Sequence, residues 1–151
     1  PKVPVFLRSD APFEIGKAQV LTDGTDVTIV ATGHLVWEAM QASLALKNRG
    51  IRAEVINVHT IKPLDGKTIL DSVQRTGRVV VAEEHQRAGG LGALVAQLLA
   101  AHCPTPMRQV AVEDSFGESG TPAQLMEKYG LSAKAIEAQV EEVMWTAPAA
   151  L

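Results

Sequence analysis

Cysteine is almost absent from this chain, and so are aromatic side chains. One cysteine in 151 residues, Cys103, excludes an internal disulfide and fits a reducing, cytoplasmic setting. It follows an apolar stretch and precedes Pro104, so it reads as a buried, inert thiol. Aromatic residues make up only 4% of the chain. Alanine, valine and leucine therefore carry the core, as in sheets covered by helices on both faces. No Lys/Arg cluster is present and the formal net charge is −3, which argues against a nucleic-acid partner. No apolar run approaches the roughly 20 residues that span a bilayer, so no membrane association is expected. No secretory leader opens the chain, and it begins at Pro1 rather than methionine, as a piece of a longer polypeptide would. The length suits one domain with a real core.

What is present is alternation. Pro1 to Arg8 reads as a short strand with edge prolines. Lys17–Leu21 and Val27–Ala31 flank Asp23-Gly24, a hairpin signal that predicts an opening antiparallel pair. Leu35–Asn48 carries apolar residues at three- and four-residue steps, so it is a helix, closed by Gly50. Ala53–Val58 is the next strand. Asp65 can cap a helix bearing Ile69, Leu70 and Val73, and Gly77 stops it. Arg78–Ala82 reads as a strand, Leu91–His102 as a helix and Met107–Val112 as a strand. Thr121-Pro122-Ala123-Gln124 is a capping box, and Ser132 caps a last helix reaching about Trp145. The pattern predicts a three-layer α/β domain with a mixed, mostly parallel sheet and one antiparallel edge strand. Residues 1–12 read as a trailing strand and linker, 13–146 as the domain, and 147–151 as a frayed tail.

The chemistry is thinly spread. Glu83, Glu84 and His85 end a β-branched strand, and Gly89-Gly90-Leu91-Gly92 then opens a helix. Open α/β sheets place ligands and subunit contacts at that edge. The glycine turn could cradle a small anion on backbone amides. The plainer reading, a turn that lets helix and sheet pack closely, is preferred. It is neither a dinucleotide fingerprint nor a Walker loop. His34 and His59 also follow buried strands, but no pair of histidines has ligand spacing, so no metal site is expected. One carboxylate of the Glu-Glu pair would meet a cation across a domain or subunit seam. Ser119 has no nucleophile elbow around it, and Phe116 reads as an anchor in an interface. Pro63 disfavours helix at Lys62, fixing the turn before Asp65, and Lys62 itself reads as solvated. No catalytic and no cofactor-binding residue is assigned. A sound scaffold with so little concentrated chemistry points to a module of a larger machine.

Read in order, several segments resemble the C-terminal domain of transketolase. They are Phe13-Glu14-Ile15-Gly16-Lys17-Ala18, Val27 to Gly33, Val58-His59-Thr60-Ile61-Lys62-Pro63-Leu64-Asp65, Glu83-Glu84-His85 with Gly89-Gly90-Leu91-Gly92, Phe116-Gly117-Glu118-Ser119-Gly120, and Glu127-Lys128-Tyr129-Gly130-Leu131. The wording is most similar to bacterial and archaeal transketolases split over two genes, in which this domain closes the second subunit. The resemblance implies transfer of a two-carbon ketol unit between sugar phosphates, as in the pentose phosphate pathway, by an enzyme that uses thiamine diphosphate and a divalent cation such as magnesium. The diphosphate-binding and pyrimidine-binding domains or subunit of the same enzyme would be the partners, and the assembled enzyme would be a homodimer. Val5-Phe6-Leu7-Arg8 resembles the last strand of the pyrimidine domain, with Arg8 in place of the first arginine of an Arg-x-x-Arg pattern. The second arginine, which grips substrate phosphate in the family, is missing here. Alone, the chain is expected to be inactive. Glu84, His85, Gly89, Gly90, Gly92, Phe116 and Ser119 are then the candidates for an interface or anion contact. The alternatives are a free-standing anion-binding or dimerisation module, and the C-terminal domain of deoxyxylulose-phosphate synthase or of a 2-oxo-acid dehydrogenase beta subunit.

Overall fold

The computed structural model describes residues 4–5, 11–115 and 117–146. The strand expected over the first eight residues, the frayed tail, Arg8 and Phe116 lie outside the described residues, Pro4 and Val5 excepted. In chain order the elements are β1 (Gln19–Thr22), β2 (Val27–Ala31), α1 (Leu35–Asn48), β3 (Ala53–Asn57), α2 (Gly66–Thr76), β4 (Val79–Gln86), α3 (Leu91–His102), β5 (Met107–Val112), α4 (Pro122–Lys128) and α5 (Ala133–Met144).

The strands form one five-stranded sheet in the order β1-β3-β2-β4-β5. β1 runs antiparallel to β3, and every other pairing is parallel. Helices cover both faces, and strand alternation divides the core between them. Val27, Ile29, Ala31, Val80 and Ala82 pack with α1 and α5. Val30, Ile56, Val79 and Val81 pack with α2 and α3. This is the three-layer α/β arrangement expected from the alternating pattern.

One pairing differs from expectation. Asp23-Gly24 does not close a hairpin between β1 and β2, because β3 lies between them. The turn instead lies across the start of β3. Thr25 and Asp26 both donate their amides to the Arg52 carbonyl, and Asp26 accepts the Arg52 amide at 2.7 Å. A Cβ on Gly24 would stand 2.2 Å from the Glu54 nitrogen, so glycine is needed for that crossing. Burial decides the order. All five residues of β2 are buried, which demands a central place, whereas β1 is only partly covered and takes the margin.

The expected helix ends hold. Asp65 accepts the amide of Thr68 at 3.3 Å, and Gly77 closes α2 with φ 69°. Thr121 and Gln124 complete a capping box, and Ser132 accepts the Ala135 amide at 3.3 Å. Cys103 is half-buried rather than buried, and packs beside the α2/α3 layer.

Candidate functional site

β4 outruns the expected strand. It was expected to stop at Ala82, yet it continues through both glutamates and His85 to Gln86, which pairs with Val112 beyond an irregularity in the ladder. Alternation then sends Glu83 toward α3 and Glu84 toward α1. The pair is split between two faces of the sheet rather than presented together.

Glu83 is fully buried. Its carboxylate accepts the amides of Leu91 at 2.7 Å and Gly92 at 2.8 Å, and the Gln109 side-chain amide at 2.8 Å. It therefore occupies the positive end of the α3 dipole, where a bound anion would sit. The glycines exist for this contact. A Cβ on Gly90 would lie 2.1 Å from Glu83 Oε2, and one on Gly92 would lie 2.2 Å from Gln109 Nε2. The close-packing reading of the turn is thus given an agent: an internal carboxylate, held where the alternative reading placed a phosphate. Sequence reasoning named Glu83 in the motif but missed its role, and missed Gln109 altogether. The available signal was the glycine at both the cap and the second helical position, which leaves α3 with no side-chain cap of its own.

Glu84 is exposed, with Oε1 2.9 Å from where a Cβ on Gly33 would stand. His85 is exposed, and its Nδ1 lies 4.0 Å from Glu83 Oε2. With Ile61, Gln86, Ala88, Gly89, Gly90 and Leu91 it lines an open cleft of about 420 Å³. The following loop is tied to the one after β5. Gln86 donates to the Ser115 carbonyl at 2.8 Å, and Arg87 Nε donates to Glu113 Oε2 at 2.9 Å. The Arg87 hydrogen bond holds the Glu113 carboxyl below its ordinary pKa. Ser119 is exposed in the second loop, between Glu118, which pairs with Lys128 at 2.5 Å, and the α4 capping box. The two loops that carry the interface candidates are thereby joined into one platform at the carboxyl edge.

The other histidines lie elsewhere. His34 lines a groove beside α4 with Glu38 and Glu127. His59 stacks against Phe13 with ring centroids 4.4 Å apart, and its Nδ1 is 3.0 Å from the Thr60 hydroxyl. No cluster among the described residues could hold a metal ion. Lys62 is exposed, beside a cis bond to Pro63.

The structure is thus a mixed α/β sheet in which the start of α3 is capped from within by Glu83 and the loops after β4 and β5 are tied together. The comparisons give the family. The transketolase C-terminal domain model matches residues 16–136, and the chain belongs to that family. It is 50% identical over 131 residues to the 6-deoxy-6-sulfo-D-fructose transketolase subunit SqwH of Clostridium sp. (strain MSTE9), covering 87% of this chain and 41% of that protein. It is 43% identical over 120 residues to a 1-deoxy-D-xylulose-5-phosphate synthase of Desulforudis audaxviator, covering 78% of this chain and 19% of that protein. A solved split-gene transketolase, described as an inactive beta4 tetramer, superposes with a TM-score of 0.90 at 44% identity over 94% of this chain and 46% of that one. The chain thus spans less than half the length of these relatives.

Proposed function

We propose that this chain is the C-terminal domain of the second subunit of a split transketolase, and that it acts by packing. The assembled enzyme moves a two-carbon ketol unit between sugar phosphates, with thiamine diphosphate and a divalent cation held by the diphosphate-binding and pyrimidine-binding domains. The observation that carries this reading is the 44–50% identity to transketolase subunits over nearly the whole chain. The platform of residues 84–90, 113–115 and 117–120 is its contribution to the assembly, since small misplacements of catalytic groups are costly. At the Gly89–Gly92 turn the amides of Leu91 and Gly92 are taken by Glu83, so this turn does not offer them to the cofactor's diphosphate, and no catalytic step is assigned to this domain. Arg8, in the segment that resembles the last strand of the pyrimidine-binding domain, is the candidate for contact with substrate phosphate. The enzyme is proposed to be a cytoplasmic homodimer of assembled subunits; among the described residues no helix is long and apolar enough to cross a membrane.

The test is reconstitution. The complete encoded subunit is mixed with its companion subunit, thiamine diphosphate and magnesium, and assayed for ketol transfer between sugar phosphates. Transfer that needs both subunits is expected. A folded, associated mixture that transfers no ketol unit to any of a panel of sugar phosphates would count against the reading.

A further inference from the structure

We infer that the apolar strip formed by Phe13, Ile15 and Val20 is the seat of the domain that precedes this one in the same polypeptide. The inference rests on the proposed function and names the partner surface that reading leaves open. Phe13 is 69% exposed, Ile15 75% and Val20 47%, which is high for three large apolar side chains within eight residues of one another in the chain. The strip lies where the sheet is unfinished. Among the described residues β1 pairs with β3 alone, and a groove of about 440 Å³ runs along it past Pro12 and Ala18.

The strip is held ready rather than hanging loose. Lys17 donates its amide to the Glu14 carbonyl at 3.1 Å, Ala18 donates to Asp65 at 3.0 Å, and Gln19 donates to the Pro12 carbonyl at 2.7 Å. Phe13 is seated on the His59 ring, with centroids 4.4 Å apart. The occupant follows from position. The family model begins at residue 16, immediately after Phe13 and Ile15. It describes a C-terminal domain, and the chain spans only 41% of the first relative and 46% of the solved one. The rest of those proteins must largely come before such a domain, and it joins at this strip.

The experiment uses the complete encoded polypeptide carrying Ile15→Cys or Leu44→Cys, with maleimide labelling of each site followed by peptide mass mapping. Leu44 is 59% exposed on α1, away from the strip, so it reports a free surface. Ile15→Cys is expected to label about tenfold or more slowly than Leu44→Cys, because labelling must wait for the seam to open. Phe13→Cys repeats the measurement at an independent position should Ile15→Cys fail to fold. Equal rates at the strip and at Leu44 would overturn the inference. So would shielding that disappears on dilution, which would assign the strip to a second copy. Ketol transfer enters none of these readouts, so loss of the enzymatic reading and loss of the seam are told apart.

Discussion

Replacing Glu83 with alanine should destabilise the domain more than any surface change, and the structure sets the size. The substitution strips a fully buried carboxylate from the amides of Leu91 and Gly92 and from Gln109. Two amides at the start of α3 are left without an acceptor, each costing about 1–3 kcal/mol, and the dipole loses its counter-charge, about 0.3–1 kcal/mol more. Release from the cost of burying a charge offsets part of this, leaving an expected loss of about 3–5 kcal/mol. With a urea m-value of about 2 kcal/mol/M, the unfolding midpoint should fall by about 1.5–2.5 M. Gly90→Ala supplies the sharper comparison. The Gly90 backbone, at φ −86° and ψ −163°, suits alanine, so its cost comes from the Cβ meeting the carboxylate at 2.1 Å. In the Glu83→Ala background that collision is gone, and the double-mutant cycle should show a coupling of about 1–3 kcal/mol. A Glu83→Ala loss under about 1 kcal/mol, or additivity within about 0.5 kcal/mol, would refute the reasoning.

Asp65 should control the acid limb of stability. Burial of its carboxyl raises the pKa, but hydrogen bonds from the Ala18 amide and from the Thr68 hydroxyl and amide, with Lys17 nearby, outweigh it and hold the group below its ordinary value. A folded value below the unfolded one adds stability that is present above about pH 4 and lost as pH falls through the folded value. Asp65→Asn should therefore be less stable near neutrality, with the gap to the parent closing in urea titrations below about pH 4; a gap independent of pH would contradict this. Thr28 is buried with its hydroxyl 2.7 Å from those of both Ser72 and Thr76, so Thr28→Val should cost about 1–2 kcal/mol despite its matched shape. An unchanged thermal midpoint would argue that the hydroxyl cluster is idle.

The layers, helix ends and most strand limits were legible because periodicity and capping are local. Leu91–His102 and Met107–Val112 match their expected limits, and Asp65, Thr121 and Ser132 cap as their side-chain chemistry requires. Partners along the sheet were not legible. Asp23-Gly24 is turn chemistry, but only the full burial of β2 says which strand lies beside it. The site was half legible for a related reason. The glycines of 89–92 announced an approach to the α3 N-terminus, yet what approaches is Glu83, seven to nine residues back on a strand whose length depends on pairing with Val112. Gln109 is reachable only through the fold.

Glu83 already fills the position an anion would take at the start of α3, so the domain proposed to complete an assembly should bind no phosphate there. The most direct test follows amide chemical shifts of the 151-residue chain during titration with inorganic phosphate and then thiamine diphosphate with magnesium. No saturable shift is expected at the amides of Gly90 to Ala93. Saturable shifts centred on those amides would contradict it.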